Sequence, residues 1–96
     1  MPSELQNIWL AGCVEVFTCR GLKDLRGGPT MVTITTRLSN TLFASFIFNE
    51  SIGKDFKQGD KVYLMGRFIG KVIVPWTDIY ELYFVDCSLK NENYGR

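Results

Sequence analysis

Hydrophobic and polar positions alternate with a period of two over most of this chain, which predicts strands rather than helices. Residues 7–18 form a β-rich run (Ile8, Trp9, Leu10, Val14, Val16, Phe17) interrupted by Ala11 and Gly12, a pattern expected of one long strand with a bulge. Residues 19–29 hold three glycines, a proline and four charges and read as a loop. Residues 30–38 set Val32 and Ile34 against Thr33, Thr35 and Arg37, a half-buried strand. A turn signal at Ser39 and Asn40 joins it to residues 41–48 as a hairpin. Residues 50–56 are the only helix candidate, at most two turns, capped by Asn49 or Ser51 and weakened by Gly53. Residues 61–74 read as the fourth strand or as a strand–turn–strand, with a break expected at Gly70 and Lys71. Residues 75–78 read as a turn, 79–89 as the last strand, and 90–96 as a polar, fraying end.

The segment Gln58–Gly59–Asp60–Lys61–Val62–Tyr63–Leu64–Met65–Gly66–Arg67–Phe68 is the most informative. Gly59 supplies the positive φ that a turn entering a strand often needs. Val62, Leu64, Gly66 and Phe68 share one side of the strand, and Lys61, Tyr63, Met65 and Arg67 the other. A glycine inside a strand marks a bulge or bend, and a bent strand is what a small barrel needs to turn a corner. Five strands with one short helix between the third and fourth are the recipe of the OB-fold, a Greek-key barrel. The expected fold is therefore all-β, a five-stranded OB-fold. An SH3-like barrel and a split-barrel or sandwich fragment are the alternatives. At 96 residues the chain is read as a single domain, 1–96, with its core over about 6–89.

Charge narrows the function. Eleven Lys and Arg stand against ten Asp and Glu, a formal net charge of +1, which argues against purely electrostatic binding to duplex DNA and leaves room for a local basic groove. There is no apolar run of transmembrane length and no signal-peptide pattern after Met1, so a cytoplasmic protein with no membrane association is expected. Cys13, Cys19 and Cys87 are an odd count, fit no zinc template and sit among apolar strand residues. They are read as buried, reduced thiols.

No catalytic reading survives the inventory. The chain has no histidine, the commonest general base near neutral pH. No carboxylate pair has a clear shared setting, and Lys23, Asp24 and Arg26 before Gly27 and Gly28 do not make a P-loop. No enzyme activity, metal or cofactor is expected. Binding is the better class, because a single nucleic-acid strand is held by a positive groove and by aromatic faces on which bases stack. The row Lys61, Tyr63 and Arg67 alternates cation with aromatic. Arg37 ends the polar row of Thr33 and Thr35. Lys71 lies near Trp76, a tryptophan in a turn beside Pro75 and Asp78 and so a candidate stacking platform. Lys23 and Arg26 lie in the loop between the first two strands. In OB-folds the loops after strands one and four flank the binding face.

Four stretches, taken in order, resemble a known family: Gln6–Asn7–Ile8–Trp9–Leu10–Ala11–Gly12, Gly28–Pro29–Thr30–Met31–Val32–Thr33–Ile34–Thr35–Thr36, Gln58 through Arg67, and Trp76–Thr77–Asp78. Together they resemble the bacterial single-stranded DNA-binding protein family, to which primosomal replication protein B is related. The resemblance runs from about Gln6 to Leu89. It implies binding of single-stranded DNA, or of RNA, with little sequence specificity, in replication, recombination or repair. It implies stacking on Trp76, and on Phe48, where the family closes its third strand with an aromatic. It also implies association through the first strand, with Trp9 as a contact, as a homodimer or with a replication enzyme. Two departures stand out. Leu42–Phe43–Ala44–Ser45–Phe46 carries no charge where the family has basic residues, and Asn93–Tyr94–Gly95–Arg96 does not resemble the family's acidic, partner-recruiting tail.

A second class of function is a protein–protein module on the same scaffold, an accessory subunit of a polymerase, primase or helicase. Near-zero net charge and apolar residues at nominally outward positions (Trp9, Met65, Ile73, Tyr83, Val85) favour it.

Overall fold

The computed structural model describes residues 8–22, 31–49 and 56–90. Its strands are β1 (Trp9–Glu15), β2 (Thr18–Leu22), β3 (Met31–Ser39), β4 (Leu42–Phe48), β5 (Lys61–Ile73) and β6 (Tyr80–Leu89). They form one six-stranded mixed sheet in the order β1-β5-β6-β4-β3-β2. All neighbours are antiparallel except β4 and β6, which run parallel.

The count of strands corrects the expectation of five. The long first run does not bulge at Ala11 and Gly12, where β1 passes through unbroken, but divides at Val16 and Phe17. The cause is a change of partner. The Val16 N–H donates to the Asp60 carbonyl at 2.8 Å, and the next N–H, of Phe17, donates to the Thr35 carbonyl at 2.8 Å. Val16 itself is buried at 1% exposure and acts as the pivot. The chain thus leaves β5 and joins β3, and β2 takes the first residues of the expected loop. The two edges of the sheet are in consequence consecutive in sequence, and the sheet must curl to bring them together. The buried Thr36 hydroxyl ties the join from the other side, donating to the Glu15 carbonyl at 2.6 Å.

The described residues contain no helix. The helix expected over 50–56 falls almost wholly on residues 50–55, outside the described residues, and Phe56 is not helical. The expected break at Gly70 is absent too. β5 runs through it, with register shifts against β6 between Met65 and Arg67 and between Phe68 and Gly70. Two shifts in one strand bend it without ending it. The turn after Gln58 is as expected, with Gly59 at φ 97°.

The core follows the alternation. Val32 and Ile34, then Ala44, Phe46 and Phe48, then Val62 and Leu64, point inward with Phe84 and Val16. Phe46 stacks on Phe84, ring centroids 4.7 Å apart, and Phe68 leans on the same ring at 5.6 Å. Gly66 lies under this cluster: a Cβ there would come within 2.7 Å of Cys87 Sγ and 3.1 Å of Phe84 Cβ. The cysteines correct the expectation of buried thiols. Cys13 is exposed on β1, while Cys19 and Cys87 are half-buried, and all three are free. Burial pushes the Cys87 thiol up to about 11.

Gly66→Ala is expected to destabilise by about 1–3 kcal/mol, the usual cost of overpacking, read as a lower urea midpoint. Adding Cys87→Ala, which removes the nearest atom, is expected to restore part of the loss. A single variant as stable as the parent would show that the strands separate freely at this point.

Candidate nucleic-acid interface

The residues of opposite phase to the core build a groove. Thr33 and Thr35 of β3, Phe43, Ser45 and Ile47 of β4, and Glu81 and Tyr83 of β6 form its floor, with Thr18 and Arg20 of β2 beside them. Phe17 closes one side, and Val74 and Ile79, at the base of the loop between β5 and β6, another. The hollow encloses about 820 Å³. Phe17 and Phe43 meet edge to face, centroids 5.4 Å apart, so the ring of Phe43 is braced in position.

A polar chain crosses this apolar floor. Ser45 lies directly across from Thr35 on one side and from Tyr83 on the other. The Ser45 hydroxyl donates to Glu81 Oε2 at 2.6 Å, and the Tyr83 hydroxyl donates to Glu81 Oε1 at 2.8 Å. A serine hydroxyl carries one proton, so at the 3.1 Å contact between Thr35 Oγ1 and Ser45 Oγ it is Thr35 that donates. The direction is fixed throughout: Thr35 to Ser45 to Glu81, with Tyr83 converging from the far side. The hydrogen bond to Glu81, then burial, then the carboxylate's charge hold the Tyr83 phenol above its ordinary range.

Trp76 is at the tip of the loop between β5 and β6, fully exposed at 101%. Its φ is 61°, a left-handed backbone that a bulky residue rarely adopts. The tip is fixed by the Thr77 N–H and hydroxyl, which donate to the Val74 carbonyl at 3.1 and 2.8 Å, and by the Ile79 N–H, which donates to Thr77 Oγ1 at 3.0 Å. A strained backbone is thus used to present an indole with no intramolecular cover. Lys71 lies beside this loop, its ammonium 4.8 Å from the centre of the Tyr80 ring. Arg37 continues the groove past Phe17. With Glu15 and Gln58 it lines a smaller hollow of about 260 Å³ that shares Phe17, and its guanidinium donates to the Ser39 carbonyl and Asn40 Oδ1.

Other expected residues lie elsewhere. Phe48 is corrected: it is 1% exposed in the core, because Ala44, Phe46 and Phe48 face inward together, and its ring offers no face to a base. Lys61, Tyr63 and Arg67 line β5 opposite Glu15, Cys13 and Trp9 of β1, and none borders the groove. Arg67 is paired with Asp86 Oδ2, at 3.0 Å from Nε and 2.9 Å from Nη2. Lys23 and Arg26 lie outside the described residues. Trp9 is half exposed, between exposed Ile8 and Leu10, on a strand paired only on its β5 side among the described strands. Among the described residues no group of three His, Cys, Asp or Glu is placed to hold a metal ion.

The groove's own Phe17, Arg20, Phe43, Ser45, Ile47, Glu81 and Tyr83 were not expected there. The signal that could have found three of them is the phase of β4: Ser45 shares a side with Phe43 and Ile47, while the other side is wholly apolar and must be the core.

Compared with protein-family models, with curated proteins and with solved structures, the chain matches none.

Tyr83 is expected to ionise later than the ordinary 10.0, read from tyrosinate absorbance. A raised folded value means the native state holds its proton longer. The stability this contributes is whole below pH 10 and is lost as pH rises through the raised value. Glu81→Ala is expected to bring the transition back towards 10.0. An unchanged titration would show that the hydroxyl does not donate to Glu81.

Proposed function

We propose that this protein binds single-stranded nucleic acid, DNA in the first place, in replication, recombination or repair, on an OB-fold barrel whose first strand is bent into β1 and β2. In support, β1 and β2 are consecutive in the chain, pair with different neighbours, β5 and β3, at opposite edges of the sheet, and enclose the parallel pair of β4 and β6 between them. The observation that carries the reading is the groove: the rings of Phe43 and Tyr83 on one sheet face with Phe17 at its side, bordered by a loop that holds Trp76 fully exposed. Bases stack on such rings at roughly 1–3 kcal/mol each with little regard for sequence. Arg20 in the groove and Arg37 beyond Phe17 supply positive charge for the backbone, and the segment carrying Lys23 and Arg26 follows β2 directly. The resemblance to the single-stranded DNA-binding family supports the same reading.

Single strands are expected to bind more tightly than duplex in a gel shift with DNA, duplex and RNA of equal length. The affinity is expected to fall with salt by a slope of about −0.7 per phosphate neutralised. Trp76→Gly is the sharper variant. Glycine accepts the left-handed backbone without strain, so stability is expected to hold or rise while single-strand affinity falls by roughly 1–3 kcal/mol. Equal or better binding of duplex would remove the proposal.

A second reading, a protein-binding accessory subunit, is favoured by one observation: exposed Trp9 and Leu10 on the open edge strand β1 and exposed Ile8 just before it, with exposed Ile69, Val72 and Ile73 on β5. The same edge suits a homodimer. Light scattering is expected to give about twice 11.0 kDa, and Trp9→Glu is expected to shift the mass towards the monomer by burying an unpaired charge. A monomeric wild type would remove the dimer.

A further inference from the structure

The carboxylate on the floor of the groove does not belong in a generic strand-binding surface. A negative charge repels phosphate, so near Glu81 the backbone of a bound strand must keep to the rim and turn its bases inward. The carboxylate is also oriented: Ser45 holds Oε2 and Tyr83 holds Oε1, and Thr35 in turn holds Ser45. Each carboxylate oxygen has two acceptor positions. One on each is used, and one on each is left.

Two adjacent acceptors, fixed in one plane, ask for two adjacent donors. Bases in a single strand have their Watson–Crick edges open. Guanine presents the N1–H and an N2–H side by side. Cytosine and adenine place a ring-nitrogen acceptor next to their amino group, and thymine flanks its single N3–H with two carbonyls. Against a carboxylate, each of these three brings a lone pair towards a negative oxygen. Guanine alone brings none at the paired positions. Phe43, directly across from Glu81 in the parallel register, and Tyr83 are the rings against which such a base would lie.

We propose that Glu81 reads guanine at one nucleotide position of the bound strand, with Thr35, Ser45 and Tyr83 as positioning residues that fix its carboxylate. This rests on the single-strand reading above and adds base preference to an otherwise sequence-tolerant site.

The test is competition binding of thymine oligomers in which one residue is replaced by guanine, cytosine or adenine, scanned along the strand, with the 96-residue chain and with its Glu81→Gln variant. A bidentate pair to a base edge corresponds to about five-fold to 150-fold discrimination. The wild type is expected to favour the guanine oligomer by that factor at one register. Glu81→Gln is expected to lose the preference, because its amide nitrogen opposes a donor, so that the guanine-to-thymine affinity ratio falls towards one. Tyr83→Phe keeps the ring and frees Oε1. It is expected to lower the guanine-to-thymine affinity ratio measured within that variant, and it serves if Glu81→Gln melts early. Equal binding of all oligomers, a preference for cytosine or adenine, or a guanine preference that survives Glu81→Gln would each overturn the assignment and leave strand binding standing. Failure of every oligomer to bind would remove strand binding and the assignment together.

Discussion

Two successive amides decide the shape of this protein. The N–H of Val16 goes to the Asp60 carbonyl and that of Phe17 to the Thr35 carbonyl, so the chain changes partner within one residue. A strand that continued straight would pair with β5 alone and leave β3 with an open edge. Because it turns, β1 and β2 become the two edges of one sheet and the sheet is drawn round between them. Val16 makes the turn worthwhile by burying its side chain in the cluster of Ile34, Phe46 and Leu64. The Thr36 hydroxyl satisfies the Glu15 carbonyl at the point where β1 stops. Buried polar groups need partners, and this one finds its partner only in the curled sheet.

The groove is a consequence of the same curvature. Bringing β2 alongside β3 puts Arg20 and Thr18 next to Thr33 and Thr35, and the kink residue Phe17 becomes a wall instead of a core side chain. The parallel pairing of β4 with β6 sets Ser45 across from Tyr83 and Phe43 across from Glu81, residues nearly forty positions apart in the chain. Backbone placement is therefore what assembles the polar chain, and no local stretch contains it. The loop bearing Trp76 closes the groove at Val74 and Ile79 and extends its exposed indole into solvent, where an aromatic face gains most from a partner.

Much of the strand content was legible because the alternation is clean: Val32 and Ile34 against Thr33 and Thr35 fixed both the strand and its inner face. Gly59 and the loop after Ile73 were legible from turn chemistry. What could not be read was partner choice. Nothing local marks Val16 as the pivot over Gly12, which has open space around it and no need to be glycine. The exposed placement of Trp76 was legible because it stands outside the strands, whereas placements that depended on strand phase were not. Phe48 went to the core and Phe43 to the groove because β4 is inward at even positions. The cationic row of Lys61, Tyr63 and Arg67 kept its outward phase, but its strand pairs with β1 on a surface away from the groove.

The central claim is that the groove floored by β3, β4 and β6 is where a single strand lies. Titrating a short oligonucleotide of mixed sequence into isotope-labelled protein and following the amide and indole resonances tests it directly. Shifts are expected at Thr35, Phe43, Ser45 and Tyr83 and at the Trp76 indole, with the amides of Cys13, Tyr63 and Met65 unmoved. Shifts concentrated on β1 and the first half of β5, or none at all, would contradict it.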